Sequence, residues 1–110
     1  MDQKILVMIT AGSDEEAVTI AKALLEERLI ACANLVGRIR SLYHWKGDLC
    51  DDTETLLFCK SRRALFPQLS ERVKSLHSYE VPEIVGLPLV EGWPAYLDWV
   101  DEETQPAPSS

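Results

Sequence analysis

The densest group of chemically useful side chains is the heptapeptide of residues 77–83, which contains a histidine, a tyrosine and two glutamates. A neutral imidazole and carboxylates can bind a divalent cation, and a histidine near a carboxylate can also act as a general base. The alternative is structural. His77 would end a helix, where a positive charge is favoured, and Glu83 would form an ion pair. Taken alone, these residues favour the structural interpretation.

Three cysteines, Cys32, Cys50 and Cys59, offer softer ligands. They cannot all pair within one chain and none lies in a CxxC motif, so reduced thiols in a cytoplasm are the default interpretation. Cys59 lies in an apolar run and Cys32 begins a strand, so both are expected to be buried. Acidic residues surround Cys50: Asp48, Asp51, Asp52 and Glu54. Their spacing matches no EF-hand or zinc template, which favours a solvated hairpin tip.

Charge and missing motifs exclude several functions. The chain has 18 acidic and 11 basic residues, a net charge of −7 that repels nucleic-acid phosphates and anionic membranes. No apolar run approaches the roughly 18 residues of a membrane-spanning helix, and the first residues do not resemble a signal peptide. The sequence has no GxSxG, phosphate loop, HExxH or Rossmann fingerprint. We therefore expect a cytoplasmic protein that is not an enzyme and requires no cofactor.

The first elements to position these residues are a strand and a helix. Residues 5–10 are a short apolar run, typical of a strand buried on both faces. Ser13 and Glu16 form an S-x-x-E capping box, and the apolar residues behind it recur at helical spacing. We predict a helix over residues 14–28.

A long hairpin is predicted next. Residues 31–45 have an extended pattern, with a bulge or bend expected at Gly37. Residues 46–52 are predicted to be a loop, and residues 53–60 the returning strand. The first strand is much longer than the usual five or six residues, and its uncovered part carries Leu42, Tyr43 and Trp45. Either the hairpin folds back or other copies cover it, and self-association is favoured.

The second half repeats the pattern in outline. Apolar residues at helical spacing predict a second helix over residues 65–76. Residues 81–90 are predicted to form a last strand, and residues 93–100 a third helix. The order β-α-β-β-α-β plus a C-terminal helix is the ferredoxin-like split βαβ arrangement, an α+β fold with an antiparallel sheet and helices on one face. We predict a single domain over 1–103 and a flexible tail over 104–110.

Five stretches, in order, resemble the CutA family, which is named for divalent-cation tolerance. They are residues 9–11, 24–35, 41–47, 77–84 and 95–99. The resemblance covers nearly the whole domain. It implies a tight PII-like trimer in which long hairpins pair between subunits, in a cytoplasmic protein linked to copper and other divalent cations without established catalysis.

The resemblance also implies which residues form the site. His77 matches a histidine proposed as a copper ligand in some relatives, and Glu80 and Cys32 are further metal candidates. The remaining residues are implied to line the cleft between subunits: Tyr43, Trp45, Lys60, Tyr79 and Glu83. Lys60 beside acids suits an anionic ligand or an intersubunit ion pair better than a metal.

Three positions depart from the pattern of those relatives. They have a cysteine at the end of the first strand and a second histidine beside the first, where this chain has Ile9 and Leu76. Neither side chain can bind a metal, so copper affinity by that route is expected to be weak. Ser78 also replaces the usual proline.

Two functions are predicted. The first is a homotrimeric CutA-like binding protein that contributes to tolerance of Cu(II) or another divalent cation without turnover. The alternative is a PII-like trimeric regulator whose intersubunit cleft holds a small organic anion or metabolite; that step is an analogy from fold. A purely structural trimer is a third interpretation. The expected partners are copies of the chain and divalent metal ions, with no nucleic acid and no membrane.

Overall fold

The computed structural model describes residues 2–106. Its elements are Lys4–Ala11 (β1), Asp14–Glu26 (α1), Cys32–Trp45 (β2), Asp48–Arg62 (β3), Phe66–Leu76 (α2), Ile84–Pro88 (β4) and Pro94–Glu103 (α3), with a short 3-10 turn at Arg63–Leu65 before α2. The strands form one antiparallel sheet in the order β2-β3-β1-β4. The predicted ferredoxin-like α+β fold is confirmed.

One face of the sheet packs against α1 and α2. Successive side chains of a strand point to opposite faces, so Ile5, Val7 and Ile9 of β1 share this face, and all three are buried. They pack with Leu24 of α1 and Val73 of α2 in one apolar cluster. At roughly 1.5–3 kcal/mol for each fully buried side chain, this cluster is the main source of stability.

α1 and α2 leave the opposite face of the sheet, called here the open face, uncovered. It carries apolar side chains that are half-buried or exposed: Leu6, Met8, Val36, Leu56, Phe58, Val85 and Leu87. α3 covers only one end, where Asp101 forms ion pairs with Lys4 and Arg62. β1 is therefore fully buried on one face only, not on both as predicted.

The predicted cap of α1 is present with one change. The Ser13 hydroxyl accepts a hydrogen bond from the Glu16 N–H at 3.1 Å, as in a capping box. The Glu16 carboxylate reaches back one residue further than the motif requires and accepts from the Gly12 N–H at 3.0 Å. The helix ends at Glu26, two residues earlier than predicted, and Arg28 has the left-handed φ of 59° that is common after helix ends.

The prediction of a loop over residues 46–52 is wrong. β3 begins at Asp48, which pairs with Trp45, so only Lys46 and Gly47 form the turn. Their φ values of 50° and 87° are typical of the type I′ turn that closes two-residue hairpins. The aspartates that indicated a loop instead face partners on β2, and these contacts cannot be seen in the pattern of one strand.

The predicted bulge in β2 is confirmed. The pairing with β3 shifts register between Val36 and Ile39, leaving two residues in the bulge. Arg38 has the left-handed conformation, with φ of 58°. At Gly37 an added Cβ would lie 3.2 Å from the Asp14 carboxylate, so the glycine lets the start of α1 approach the bulge closely.

β4 and α3 differ from their predicted bounds. β4 is shorter than the predicted 81–90: Pro82 lies before its start and Pro88 is its last residue, and neither has the N–H that a strand ladder needs. α3 begins at Pro94, whose missing N–H suits the first position of a helix. No helix within residues 2–106 is long and apolar enough to cross a membrane.

The chain remains packed after α3. Thr104 is buried, and the Gln105 N–H donates to the Arg28 carbonyl oxygen at 2.8 Å. The packed part therefore extends to Gln105, two residues beyond the predicted boundary at 103. The last four residues of the predicted tail, 107–110, lie outside the described residues.

Candidate functional site

A cleft of about 690 Å³ lies between the β2–β3 hairpin and the segment that follows α2. Five predicted site residues line it: Tyr43, Trp45, Tyr79, Glu80 and Glu83. Its other lining residues include Thr10 and Arg40, which the sequence did not single out, and Glu54, which the sequence placed only among the acids around Cys50. The hairpin reaches the segment after α2. Lys46, in the hairpin turn, has its Nζ 3.4 Å from the Glu80 carboxylate.

His77 lies beneath the cleft with its side chain fully buried. Its Nε2 is 2.6 Å from the Thr10 carbonyl oxygen, which can only accept, so Nε2 carries the proton. Its Nδ1 accepts a hydrogen bond from the Tyr79 N–H at 3.1 Å. The imidazole is therefore neutral with both nitrogens engaged. In this arrangement His77 positions the loop and has no lone pair free for a metal.

Glu16 holds the same loop from the other side. Its Oε2 accepts from the Ser78 N–H at 2.8 Å, while Oε1 accepts from Gly12. Burial opposes the charged form of Glu16, but the hydrogen bonds from Ser78 and Gly12 outweigh it and lower the pKa of the carboxyl group. Glu16 therefore joins the β1–α1 loop to the segment after α2, which fixes Tyr79 at the cleft.

Tyr79 and Glu54 form one wall of the cleft. The Tyr79 hydroxyl donates to Glu54 Oε2 at 2.7 Å, and Glu54 is only 6% exposed. Burial and then this hydrogen bond to a carboxylate raise the pKa of Tyr79 well above its usual value. The phenol therefore stays protonated and serves as a donor.

The hairpin wall is ordered by contacts between its two strands. The Arg40 guanidinium donates to both carboxylate oxygens of Asp51, at 2.9 and 2.6 Å. The Tyr43 hydroxyl donates to Asp52, and this hydrogen bond raises the pKa of Tyr43 to about 12. Both aspartates thus support the cleft wall from a paired strand, and they remain exposed to solvent, as predicted for this end of the hairpin.

Cys32 and Lys60 lie away from the cleft. They are cross-strand neighbours, and Lys60 pairs with Leu6, four residues along β1 from the Thr10 that contacts His77. At about 3.3 Å per strand residue, that is roughly 13 Å along the sheet. The Cys32 thiol is 3.3 Å from the Tyr96 hydroxyl, and Lys60 donates to an asparagine on β2.

The described residues do not gather a metal site within one chain. Across residues 2–106 no group of three or more histidine, cysteine or acidic side chains could hold an ion. Cys50 is half-buried in the hairpin, and Cys59 is fully buried, as predicted. Burial raises the pKa of the Cys59 thiol to about 12, so it is a core residue and a poor ligand.

Comparison with known proteins agrees with the fold and the motifs. The model of a family described as CutA1 divalent ion tolerance protein matches residues 5–103. A divalent-cation tolerance protein CutA from Thermus thermophilus is 54% identical over 99 residues, covering 90% of this chain and 96% of that protein. The mouse protein CutA is 42% identical over 93% of this chain, but the match spans only 58% of the mouse protein.

Solved structures agree as well. The Thermus thermophilus divalent cation tolerance protein superposes with a TM-score of 0.90 at 53% identity, covering 93% of this chain and 99% of that one. CutA1 from Oryza sativa gives a TM-score of 0.92 at 38% identity, covering 94% and 95%. The periplasmic divalent cation tolerance protein CutA from Archaeoglobus fulgidus gives a TM-score of 0.90 at 39% identity, covering 93% of this chain and 99% of that one.

The fold, with its long hairpin and its cleft, places the chain in the ferredoxin-like, PII-like class of α+β proteins. Within that class the chain belongs to the CutA1 divalent ion tolerance family, and the resemblance noted in its sequence is confirmed.

Glu54 is the cleft residue that the sequence could have indicated but did not. It alternates with Leu56 and Phe58 on one face of β3, so an acid there interrupts an apolar face. The acidic run before it hid that signal, because Asp51 and Asp52 made the segment resemble a solvated loop.

Proposed function

We propose that this chain is a homotrimeric binding protein that contributes to divalent-cation tolerance, with Cu(II) as the first candidate ion. The observation that carries the proposal is the family match over residues 5–103, which includes every residue of the cleft. The name of that family and of the Thermus thermophilus relative refers to divalent ions.

Assembly is part of the proposal and is supported by the open face. Val85 and Leu87 are 45% and 44% exposed there, and they adjoin the half-buried Leu6 and Met8. A contiguous exposed apolar patch is typical of an interaction site in soluble proteins. The hairpin strands of 14 and 15 residues also provide backbone that can pair with another copy.

Binding without turnover is supported by the hydrogen bonds that engage the ring nitrogens of His77. The chain has only His44 and His77. His77 is the better placed for proton transfer, but a backbone carbonyl and a backbone N–H engage its two nitrogens. We also propose a cytoplasmic location, supported by three free cysteines, although relatives include proteins titled as chloroplastic and periplasmic.

A Cu(II) site would need ligands from more than one chain. Glu80 and Glu83 reach the cleft, but His77 would have to leave its two hydrogen bonds to join them. Ile9 and Leu76 stand where some relatives have additional ligands and cannot replace them. Carboxylates from neighbouring copies are therefore the ligands we expect to complete the site.

The test is a calorimetric titration of metal-free protein with Cu(II), with variants His77→Ala and Glu80→Gln. Glu71→Gln, at an exposed position of α2, is the matched control. We expect binding that falls about tenfold or more in Glu80→Gln, which removes a cleft carboxylate, and that also weakens in His77→Ala, because the segment carrying Glu80 loses the contact that positions it; the control should stay unchanged. Circular dichroism identifies any variant that has lost its fold. Equal heats in all four proteins would overturn copper binding at this cluster.

A second candidate function is that of a PII-like regulator, favoured by the volume of the cleft. Small-molecule sites commonly enclose about 300–1,000 Å³, and 690 Å³ lies within that range. The organic anion expected from the sequence depended on Lys60, which does not line the cleft of the single chain. The chemistry of the ligand must therefore be inferred again from the residues that do.

A further inference from the structure

The cleft has an excess of negative charge, and one of its carboxylates, that of Glu54, is buried. Three carboxylates line it, those of Glu54, Glu80 and Glu83, against one cation, Arg40. Glu54 is 6% exposed, and its hydrogen-bond donor is the neutral hydroxyl of Tyr79. A buried carboxylate is costly unless a positive charge accompanies it, so Glu54 requires a counter-ion that its own hydrogen bond does not supply.

The chain's nearby cations are already engaged. The Arg40 guanidinium uses Nε and Nη2 on the two oxygens of Asp51. The Lys46 ammonium lies 3.4 Å from Glu80, at the mouth of the cleft. Within residues 2–106, no lysine, arginine or histidine nitrogen comes within 4.0 Å of a carboxylate oxygen of Glu54 or Glu83.

The cleft walls also suit a positive charge. Tyr43, Trp45 and Tyr79 line it, and the faces of aromatic rings attract cations. One such cation–π contact is present within the chain: the Lys46 ammonium lies 5.4 Å from the centre of the Trp45 ring. Aromatic faces beside carboxylates are a recognition surface for ammonium and guanidinium groups.

We propose that the cleft binds an organic cation, an ammonium or guanidinium group, with Glu54 as its buried counter-ion. The group belongs either to a free amine or to a lysine or arginine side chain of a second copy of this chain. The proposal rests on the second candidate function, a cleft that holds a small molecule, and it replaces the anion expected from the sequence. An anion would face three carboxylates, and a metal ion would find no three converging ligands.

The experiment compares three four-carbon probes of different charge. The 110-residue chain, in metal-free buffer of low ionic strength, is titrated with 1,4-diaminobutane, with butane-1,4-diol and with succinate. The same titrations use Glu54→Gln, whose amide oxygen can still accept from Tyr79, and the exposed control Glu71→Gln. Sedimentation equilibrium of all three proteins measures the strength of self-association.

If the cation is a free amine, only the diamine binds the unmodified chain, and Glu54→Gln weakens it about tenfold or more while Glu71→Gln does not. If a second copy supplies the cation, the diamine does not bind, and Glu54→Gln instead weakens self-association by a similar factor. The proposal is overturned if succinate binds more tightly than the diamine, or if Glu54→Gln changes neither binding nor association. No metal takes part in this experiment, so the failure of copper binding would not decide whether the cleft binds an organic cation.

Discussion

Glu16 and His77 hold a loop at the candidate site without themselves lining the cleft. Glu16 accepts from the N–H groups of Gly12 and Ser78, and His77 joins Thr10 to Tyr79. Each connects the end of β1 or the loop after it to the segment after α2. The site thus depends on two residues whose contribution is positional.

Replacing Glu16 with glutamine should destabilise the protein. A glutamine amide has one acceptor oxygen and presents an NH₂ group to the second backbone N–H, so one hydrogen bond of the pair is lost. Hydrogen bonds to a charged group contribute about 1.5–3 kcal/mol, and we expect a loss of about 2 kcal/mol in the free energy of unfolding at pH 7. Urea denaturation measures it. Glu15→Gln, on the exposed side of α1, should change stability little.

The same variant gives a pH dependence with a defined sign. Folding lowers the pKa of Glu16, so the unfolded state binds its proton more readily than the folded state. The stabilisation is therefore complete above the unfolded pKa of about 4.3, and it is lost as the pH falls through the folded value. The stability difference between the two proteins should be constant from pH 6 to 8 and narrow below about pH 4. A constant difference at all pH values would contradict the charged role of Glu16.

The sequence identified the heptapeptide around His77 but not what its histidine does. Residue type alone permits a ligand, a base or a helix-end cation. The choice depends on Thr10, which is 67 residues away along the chain and adjacent only after β1 and α2 have packed. Glu54 was missed for a similar reason, since its partner Tyr79 comes from another element.

At the scale of elements, the hairpin determines the shape of the cleft. Its two-residue turn places Lys46 beside Trp45 and within reach of Glu80, and the bulge at Gly37 and Arg38 lies beside the start of α1. Both features depend on residues with left-handed backbone. The sequence predicted the bulge from its glycine but mistook the acidic start of β3 for a loop, because strand pairing there is stabilised by contacts across the hairpin.

Substitution of Gly47 tests the turn. Its φ is +87° and an added Cβ would meet no atom within 4 Å, so the cost of Gly47→Ala comes from the backbone alone. We expect a loss of about 1–2 kcal/mol in the free energy of unfolding. Gly47→Asn should lose less although its side chain is larger, because asparagine tolerates this conformation. Thermal unfolding of both variants measures the effect, and a larger loss for asparagine would contradict the assigned turn.

At the scale of the whole molecule, the open face distinguishes this chain from a self-sufficient domain. α1 and α2 bury one side of the sheet, whereas the other side keeps apolar residues of β1, β2, β3 and β4 partly in contact with water. The overlong strand and the uncovered apolar residues Leu42, Tyr43 and Trp45 on it predicted self-association. The surface that another copy would cover became evident only when the pairing register placed Val85 and Leu87 beside Met8 and Leu6.

A charge on the open face should prevent assembly. If the proposed trimer forms through this face, we expect Val85→Asp to shift it towards monomer, because a buried, unpaired carboxylate at an interface is strongly unfavourable. Val18→Asp is the matched control, since Val18 is 40% exposed and Val85 is 45% exposed, but Val18 lies on α1. Sedimentation velocity at several protein concentrations measures the distribution. A trimer unchanged by Val85→Asp would show that the open face is not the interface.

The two edge strands, β2 and β4, leave backbone groups unpaired in a chain that has not yet assembled. β2 and β4 each hydrogen-bond to one neighbour within the sheet, so each presents a row of backbone groups along its outer side. If copies join through these rows in a closed ring, every free backbone group is paired. If the angle between copies does not close a ring, further copies continue to add without limit. The geometry that closes the ring therefore separates a finite particle from a fibre, and an unassembled chain is the aggregation-prone species.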